Sequence, residues 1–176
     1  RVGDNLGRRV LIIAGGLIVA VSVLGYHLAA GAVGLFVARL VGGIGEAAFF
    51  VGAGTMVTDL APVSRRGEAI SYWSIAVYGG LAFGPSLGES LLDGDRFALV
   101  WTVSAGLALL SAAIGWFTRE TMPRSSVGPL EPRPEPAPLI NRAALAPGTV
   151  LFLGMIGLAG FAAFVPLYVR EVDMAD

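Results

Sequence analysis

Long uncharged apolar stretches alternate along this chain with short polar connections. From Val10 to Tyr26 no side chain carries a formal charge. From Gly31 to Thr58 the only charges are Arg39 and Glu46, and from Ala69 to Leu92 the only one is Glu89. Phe97 to Thr118 and Ala143 to Val169 carry none. A helix needs about 20 mostly apolar residues to cross the hydrocarbon of a bilayer. The pattern therefore predicts five membrane-spanning helices, near 10–29, 34–57, 69–91, 97–117 and 148–169. The expected fold class is an all-α membrane protein, a polytopic transmembrane helix bundle. A cleaved leader is a poor reading of the first stretch, because apolar spans keep coming and no small-residue cleavage site stands out.

The connections differ in kind. Tyr26–Val33 is short and holds His27; Asp59–Glu68 holds Asp59, Pro62, Arg65, Arg66 and Glu68; Asp93–Arg96 is a tight turn. Residues 119–147 hold seven of the ten prolines and read as an extended linker, dividing the chain into 1–118, 119–147 and 148–176. All 12 basic residues are Arg. Nine fall on one side of the expected membrane and two, Arg96 and Arg170, on the other, with Arg39 inside a span. Excess Arg marks the cytoplasmic side, so the start of the chain and the linker are expected there. Trp73, Trp101 and Trp116 fall near expected helix ends, where indole rings favour the headgroup layer.

Composition narrows the function classes. The chain is 55% hydrophobic and 14% charged, with 25 Gly, whereas soluble domains average roughly 25% charge. A net charge of −1 without an extended basic cluster argues against nucleic acid as a partner. The absence of Lys removes a Walker-type phosphate loop. No Cys and a single His leave too few ligands for an ordinary metal site and exclude Cys catalysis and disulfides. No catalytic dyad is visible, and no cofactor is expected.

Two features inside the spans remain. Gly80, Gly84 and Gly88 recur every four residues and so line one helix face, where a neighbouring backbone can approach closely. Pro85 lies within that run and is expected to kink the helix. Ordinary close packing accounts for the spacing equally well. Arg39 and Glu46 are two turns apart on one face, about 10 Å along the axis, so a direct bridge requires both side chains to stretch. Charges at membrane depth are costly and usually face a cavity or a partner. Either they form a polar pathway for protons or substrate, or Arg39 snorkels outward and Glu46 is a protonated, hydrogen-bonded core group. Glu89 and His27 read as solvated helix-end residues.

These motifs together resemble the major facilitator superfamily of secondary transporters. Asp4-Asn5-Leu6-Gly7-Arg8-Arg9 is similar to the D-R-x-G-R-R core of that family's motif A, with Asn5 in place of the usual basic residue. Arg39-Leu-Val-Gly42-Gly43-Ile-Gly45 resembles motif B. Gly80-Leu-Ala-Phe-Gly84-Pro85-Ser-Leu-Gly88 resembles motif C, followed by Glu89 where a second Gly is common. Arg119-Glu120-Thr121 resembles the family's ending of helix 6. The resemblance implies that the five spans are helices 3 to 7 of a twelve-helix fold made of inverted repeats, hence a fragment whose partners include the missing helices of the same transporter. It implies proton-coupled export of a small molecule by alternating access. It assigns Asp4, Gly7, Arg8 and Arg9 to a cytoplasmic conformational latch, with Asp4 near a positive helix N-terminus. Arg39 becomes a buried cation that adjusts a neighbouring carboxylate. Gly80, Gly84, Pro85 and Gly88 form a kinked contact that limits leakage. Glu46 has no fixed family counterpart and is read as a proton or cationic-substrate site. The competing readings are a non-transporting membrane scaffold, which needs only packing faces, and a symporter for sugars or metabolites.

Overall fold

The computed structural model describes residues 7–92, 94, 96–121 and 142–173. The described elements are helices: α1 (Arg8–Gly25), α2 (Gly31–Leu60), α3 (Arg66–Leu91), α4 (Phe97–Phe117) and α5 (Arg142–Asp173), with a 3-10 turn at Val63–Arg65 between α2 and α3. The chain divides into two units, Arg1–Ser126 and Val127–Asp176. The first contains α1 to α4 and the second α5.

The helix ends follow local chemistry. Gly25 ends α1, and the chain turns through His27 and Leu28, whose N–H groups donate to the carbonyls of Leu24 and Gly25. α2 starts at Gly31, where φ is +67°, and stops at Leu60. Ala61 is extended because Pro62 disfavours the helical region for its predecessor. α3 passes through Pro85 as one continuous helix. The expected turn after α3 has Gly94 at φ +64°, while Asp93 and Asp95 lie outside the described residues, as does the linker from 122 to 141. α5 begins at Arg142, six residues before the start at 148 expected from the prolines.

Among the described residues four helices, not five, are long and apolar enough to cross a membrane: α1, α2, α4 and α5 over Leu145–Val169. α3 has the length, 26 residues, but Ser71, Ser74, Tyr78, Ser86 and Glu89 dilute its apolar content. The α1 helix is also shorter than expected, ending at Gly25 and not Ala29, whereas α2 is longer at 30 residues. At about 1.5 Å per residue α2 exceeds a hydrocarbon layer of roughly 30 Å.

α1 is the central strut, packed antiparallel against both α2 and α4. Glycine makes the first contact close. A Cβ on Gly15 would stand 2.6 Å from the Phe49 nitrogen and 2.7 Å from the Gly45 oxygen, and one on Gly45 would stand 2.9 Å from the Gly15 oxygen. Along the same α2 face Gly42 meets Ser22 and Gly52 meets Leu11. Ser22 Oγ donates to the Ala38 carbonyl at 2.5 Å, which satisfies a buried hydroxyl without water. On the α4 side a Cβ on Gly16 would meet the Ala112 Cβ at 3.0 Å, and one on Gly115 the Ile12 Cγ2 at 2.8 Å. Small residues thus replace large ones where helices touch, as expected when lipid removes the hydrophobic drive between them. Most large apolar side chains point outward, among them Val21, Phe36, Ile44 and Phe83.

Aromatic contacts mark the bundle ends. Trp101 gathers Tyr26, His27 and Phe97, with ring centroids 5.2 to 6.1 Å away. Trp116 sits at the other end with Arg9. Trp73 packs edge-on to Phe50 at 4.4 Å and against Gly54, joining α3 to α2.

This packing separates glycines by role. Gly45→Val is expected to destabilise the protein by about 1–3 kcal/mol through overpacking. Gly43→Ala, into open space, is expected to be neutral or stabilising by up to about 1 kcal/mol. Thermal unfolding of the detergent-solubilised protein measures the difference, and equal melting temperatures would contradict the packing assigned to Gly45.

Candidate functional site

The Arg-rich end of the bundle brings together the N-terminus of α1, the C-terminus of α2 and the segment after α4. The first N–H groups of a helix lack intrahelical partners and carry partial positive charge. α1 has no acidic residue in its first turn and no side-chain cap of its own. Glu120, more than a hundred residues away in sequence, supplies the cap. Its Oε1 accepts from the Arg8 backbone N–H at 2.9 Å and its Oε2 from that of Arg9 at 3.1 Å. Gly7 makes room for this carboxylate: a Cβ there would lie 2.8 Å from Glu120 Cδ, and φ at Gly7 is +93°. Both constraints call for glycine.

The side chains extend the network. Arg8 Nε lies 3.3 Å from Asp59 Oδ2, with side-chain exposures of 13% and 27%. That burial sets the pair apart from fully exposed ion pairs, which contribute little. Thr121 Oγ1 donates to the same Asp59 oxygen at 3.3 Å. Arg9 takes another direction. Its Nη2 donates to the Trp116 carbonyl, and its guanidinium lies 5.2 Å from the Trp116 ring centroid. One charged assembly therefore ties α1, α2 and the end of α4. Asp4 of the expected latch lies outside the described residues. Gly7, Arg8 and Arg9 fall within the assembly.

Sequence reasoning missed Asp59 and Glu120 as members. Asp59 was expected in a connecting loop but is the penultimate residue of α2. The signal for Glu120 was the uncapped α1 N-terminus, which requires an acceptor from elsewhere.

The intramembrane pair stands apart, halfway along α2. Arg39 Nη1 reaches Glu46 Oε1 at 3.0 Å, so the two side chains do span two turns. Gly43, four residues from one and three from the other, leaves the intervening strip of helix bare. The pair is 68% and 51% exposed in this chain, on a helix otherwise composed for lipid contact. None of the surrounding described residues covers it. Gly80 and Gly84 also face open space, and a Cβ on Gly88 would reach only the Val100 Cγ1, at 3.9 Å. The glycine face of α3 therefore makes no contact closer than 3.9 Å with the described residues. Among the described residues no group of three or more His, Asp or Glu side chains is placed to hold a metal ion.

Comparison with known proteins places this architecture. The family model described as Major Facilitator Superfamily matches residues 1–175. The chain is 30% identical over 115 residues to multidrug resistance protein 1 of Bacillus subtilis, covering 65% of this chain and 29% of that protein. It is 31% identical over 182 aligned positions to an uncharacterized MFS-type transporter of Salmonella typhimurium, covering 97% of this chain and 45% of that protein. Multidrug resistance protein 2 of Bacillus subtilis is 27% identical over 114 residues, 65% of this chain and 28% of that protein. The chain spans less than half the length of each of these relatives. No solved structure matches it.

The charged assembly makes two measurable claims. A double-mutant cycle of Arg8→Gln and Asp59→Asn, read by thermal unfolding in detergent, is expected to give a coupling energy of about 1–2 kcal/mol. Gly7→Ala is expected to cost about 1–3 kcal/mol, because it combines a strained φ with a collision at the Glu120 carboxylate. Zero coupling in the cycle would dissolve the assembly into independent surface charges.

Proposed function

The chain belongs to the major facilitator superfamily and is a multi-pass membrane protein, and from that premise we propose that it forms part of a proton-coupled exporter of small molecules that works by alternating access. The remaining helices of the same transporter complete the fold, and the membrane is the bacterial plasma membrane. The Arg-rich end, with nine Arg against two, faces the cytoplasm.

The observation that carries this reading is the Arg39–Glu46 pair. Each charge alone is expensive at bilayer depth, so the pair persists only while each balances the other. A proton on Glu46 removes the need for Arg39, and so does a cationic substrate beside the carboxylate. Proton, substrate and Arg39 therefore compete for one acceptor, which is the elementary requirement for exchanging one for another. The names of the two Bacillus subtilis relatives as multidrug resistance proteins support export over uptake.

Arg8 and Arg9, joined to Asp59 and Glu120, act with Asp4 and Gly7 as the latch that favours one conformation. Opening toward the cytoplasm would require the α1 end to part from at least one of its carboxylate partners. Gly80, Gly84, Pro85 and Gly88 form the close contact of α3 with helices of the complete transporter and restrict leakage there.

Reconstitution of the complete polypeptide in liposomes with an imposed pH gradient tests this reading. Efflux of a cationic dye is expected to depend on the gradient, and Glu46→Gln to abolish that dependence. Arg39→Gln is expected to weaken it. Unaltered pH-dependent transport by Glu46→Gln would refute the assignment. Full tolerance of both replacements, with no gradient-driven flux in the parent, would favour a scaffold.

A further inference from the structure

A second site lies outside the proposed transport pathway. Between α1 and α4, at the Arg-rich end, runs an apolar groove of about 410 Å³. Ile13 and Leu17 form one wall, Leu109 and Ala113 the other, and Trp116 and Phe117 its mouth. Both helices are long and apolar enough to cross a membrane, so the groove lies at hydrocarbon depth and opens beside the headgroup layer. Its interior offers no polar partner to a substrate, and its dimensions suit a hydrocarbon chain.

The mouth is basic. Arg8 is engaged by Asp59, but Arg9 turns its guanidinium toward Trp116, one of the mouth residues, and not toward a carboxylate. A guanidinium has five N–H donors, and the Trp116 carbonyl takes one site on Nη2. Arg119, exposed, follows two residues after Phe117. The nearby Glu120 carboxylate accepts from the backbone N–H groups of Arg8, Arg9 and Thr121. An apolar slot with aromatic rings at its mouth, Arg9 on the Trp116 ring and Arg119 two residues beyond Phe117 in sequence is complementary to one class of molecule.

We propose that the α1–α4 groove binds an anionic phospholipid, with an acyl chain along Ile13, Leu17, Leu109 and Ala113 and the headgroup phosphate at Arg9 and Arg119. Basic pockets between membrane helices on the cytoplasmic side select acidic headgroups by this combination of charge and burial, and Arg meets phosphate with paired N–H donors. Because Arg9 belongs to the charged assembly, the lipid would bear directly on the latch. The site requires the chain to span the bilayer with its Arg-rich end at a headgroup layer; it does not require Glu46, a proton gradient or any transport.

The test uses the complete polypeptide in nanodiscs of phosphatidylcholine with and without phosphatidylglycerol, and native mass spectrometry of the released protein. Retention of a single phosphatidylglycerol in preference to phosphatidylcholine is expected. Arg119→Gln is expected to lower that retention about fivefold, the fold-change that corresponds to about 1 kcal/mol per basic residue at the surface. Ala113→Trp, at an exposed position, is expected to fill the groove and abolish it. A variant whose sole Trp is Trp116 should be quenched by phosphatidylglycerol brominated on its acyl chain. Equal retention of both lipids would overturn the headgroup assignment. Undiminished retention in Ala113→Trp would overturn the groove. Unquenched Trp116 would show that a helix of the complete protein occupies the slot, and would also overturn the proposal.

Discussion

The crossing of α1 over α2 at Gly15 and Gly45, where a Cβ on either residue would collide with the other helix's backbone, constrains every other feature of the four-helix unit. Lipid is as apolar as leucine, so burying a large side chain between two membrane helices brings little advantage. Dispersion between closely fitted surfaces matters more, and it falls off steeply with separation. Glycine and alanine at the contact permit that fit, while the large apolar residues remain on the outside where lipid solvates them. The apparent inversion of the usual core, with Gly and Ala inside and Phe and Leu outside, follows from the change of solvent.

Placement of α1 between α2 and α4 then has an electrostatic result. It delivers an uncapped, positive helix end to the place where α2 finishes with Asp59 and the chain leaves α4 with Glu120. Two acceptors from distant parts of the sequence meet one set of donors, so the contact that packs the helices also determines which charges pair. Gly7 links the two effects, since both its backbone conformation and the space above its Cα are taken up by that meeting. The charges of α2 follow a different rule. Arg39 and Glu46 pair within their own helix, over the bare surface at Gly43. One group of charges holds helices together. The other lies along a single helix.

Several of these features were legible in the order of residues. The apolar runs located all five helices. The resemblance of residues 4–9, 39–45 and 80–88 to family motifs anticipated the family, which the match over residues 1–175 then established. The spacing of Arg39 and Glu46 placed both on one face. Other expectations failed for identifiable reasons. The contact of Trp73 with Phe50 and Gly54 was not foreseen, because it depends on how α3 meets α2. α3 satisfied the length of a span but carries too many hydroxyl-bearing side chains to satisfy its apolarity. Glycine at four-residue spacing drew attention to α3, while the closest packing within the unit fell on Gly15, Gly45 and Gly52, whose partners lie on another helix.

Local rules of sequence were sufficient wherever the cause was local: a span is a sum over neighbouring residues, a helix stops where proline follows, and an excess of Arg accumulates on one side of alternating segments. Such sums determined that the chain is helical, resides in a membrane and has one basic end. Only the tertiary arrangement decided that Glu120 caps α1, that Asp59 holds Arg8, and that Arg9 turns to Trp116, because each depends on the distance and angle at which separate helices cross. That crossing is governed by shape at a few small residues, and shape between distant segments is not written in the composition of either one.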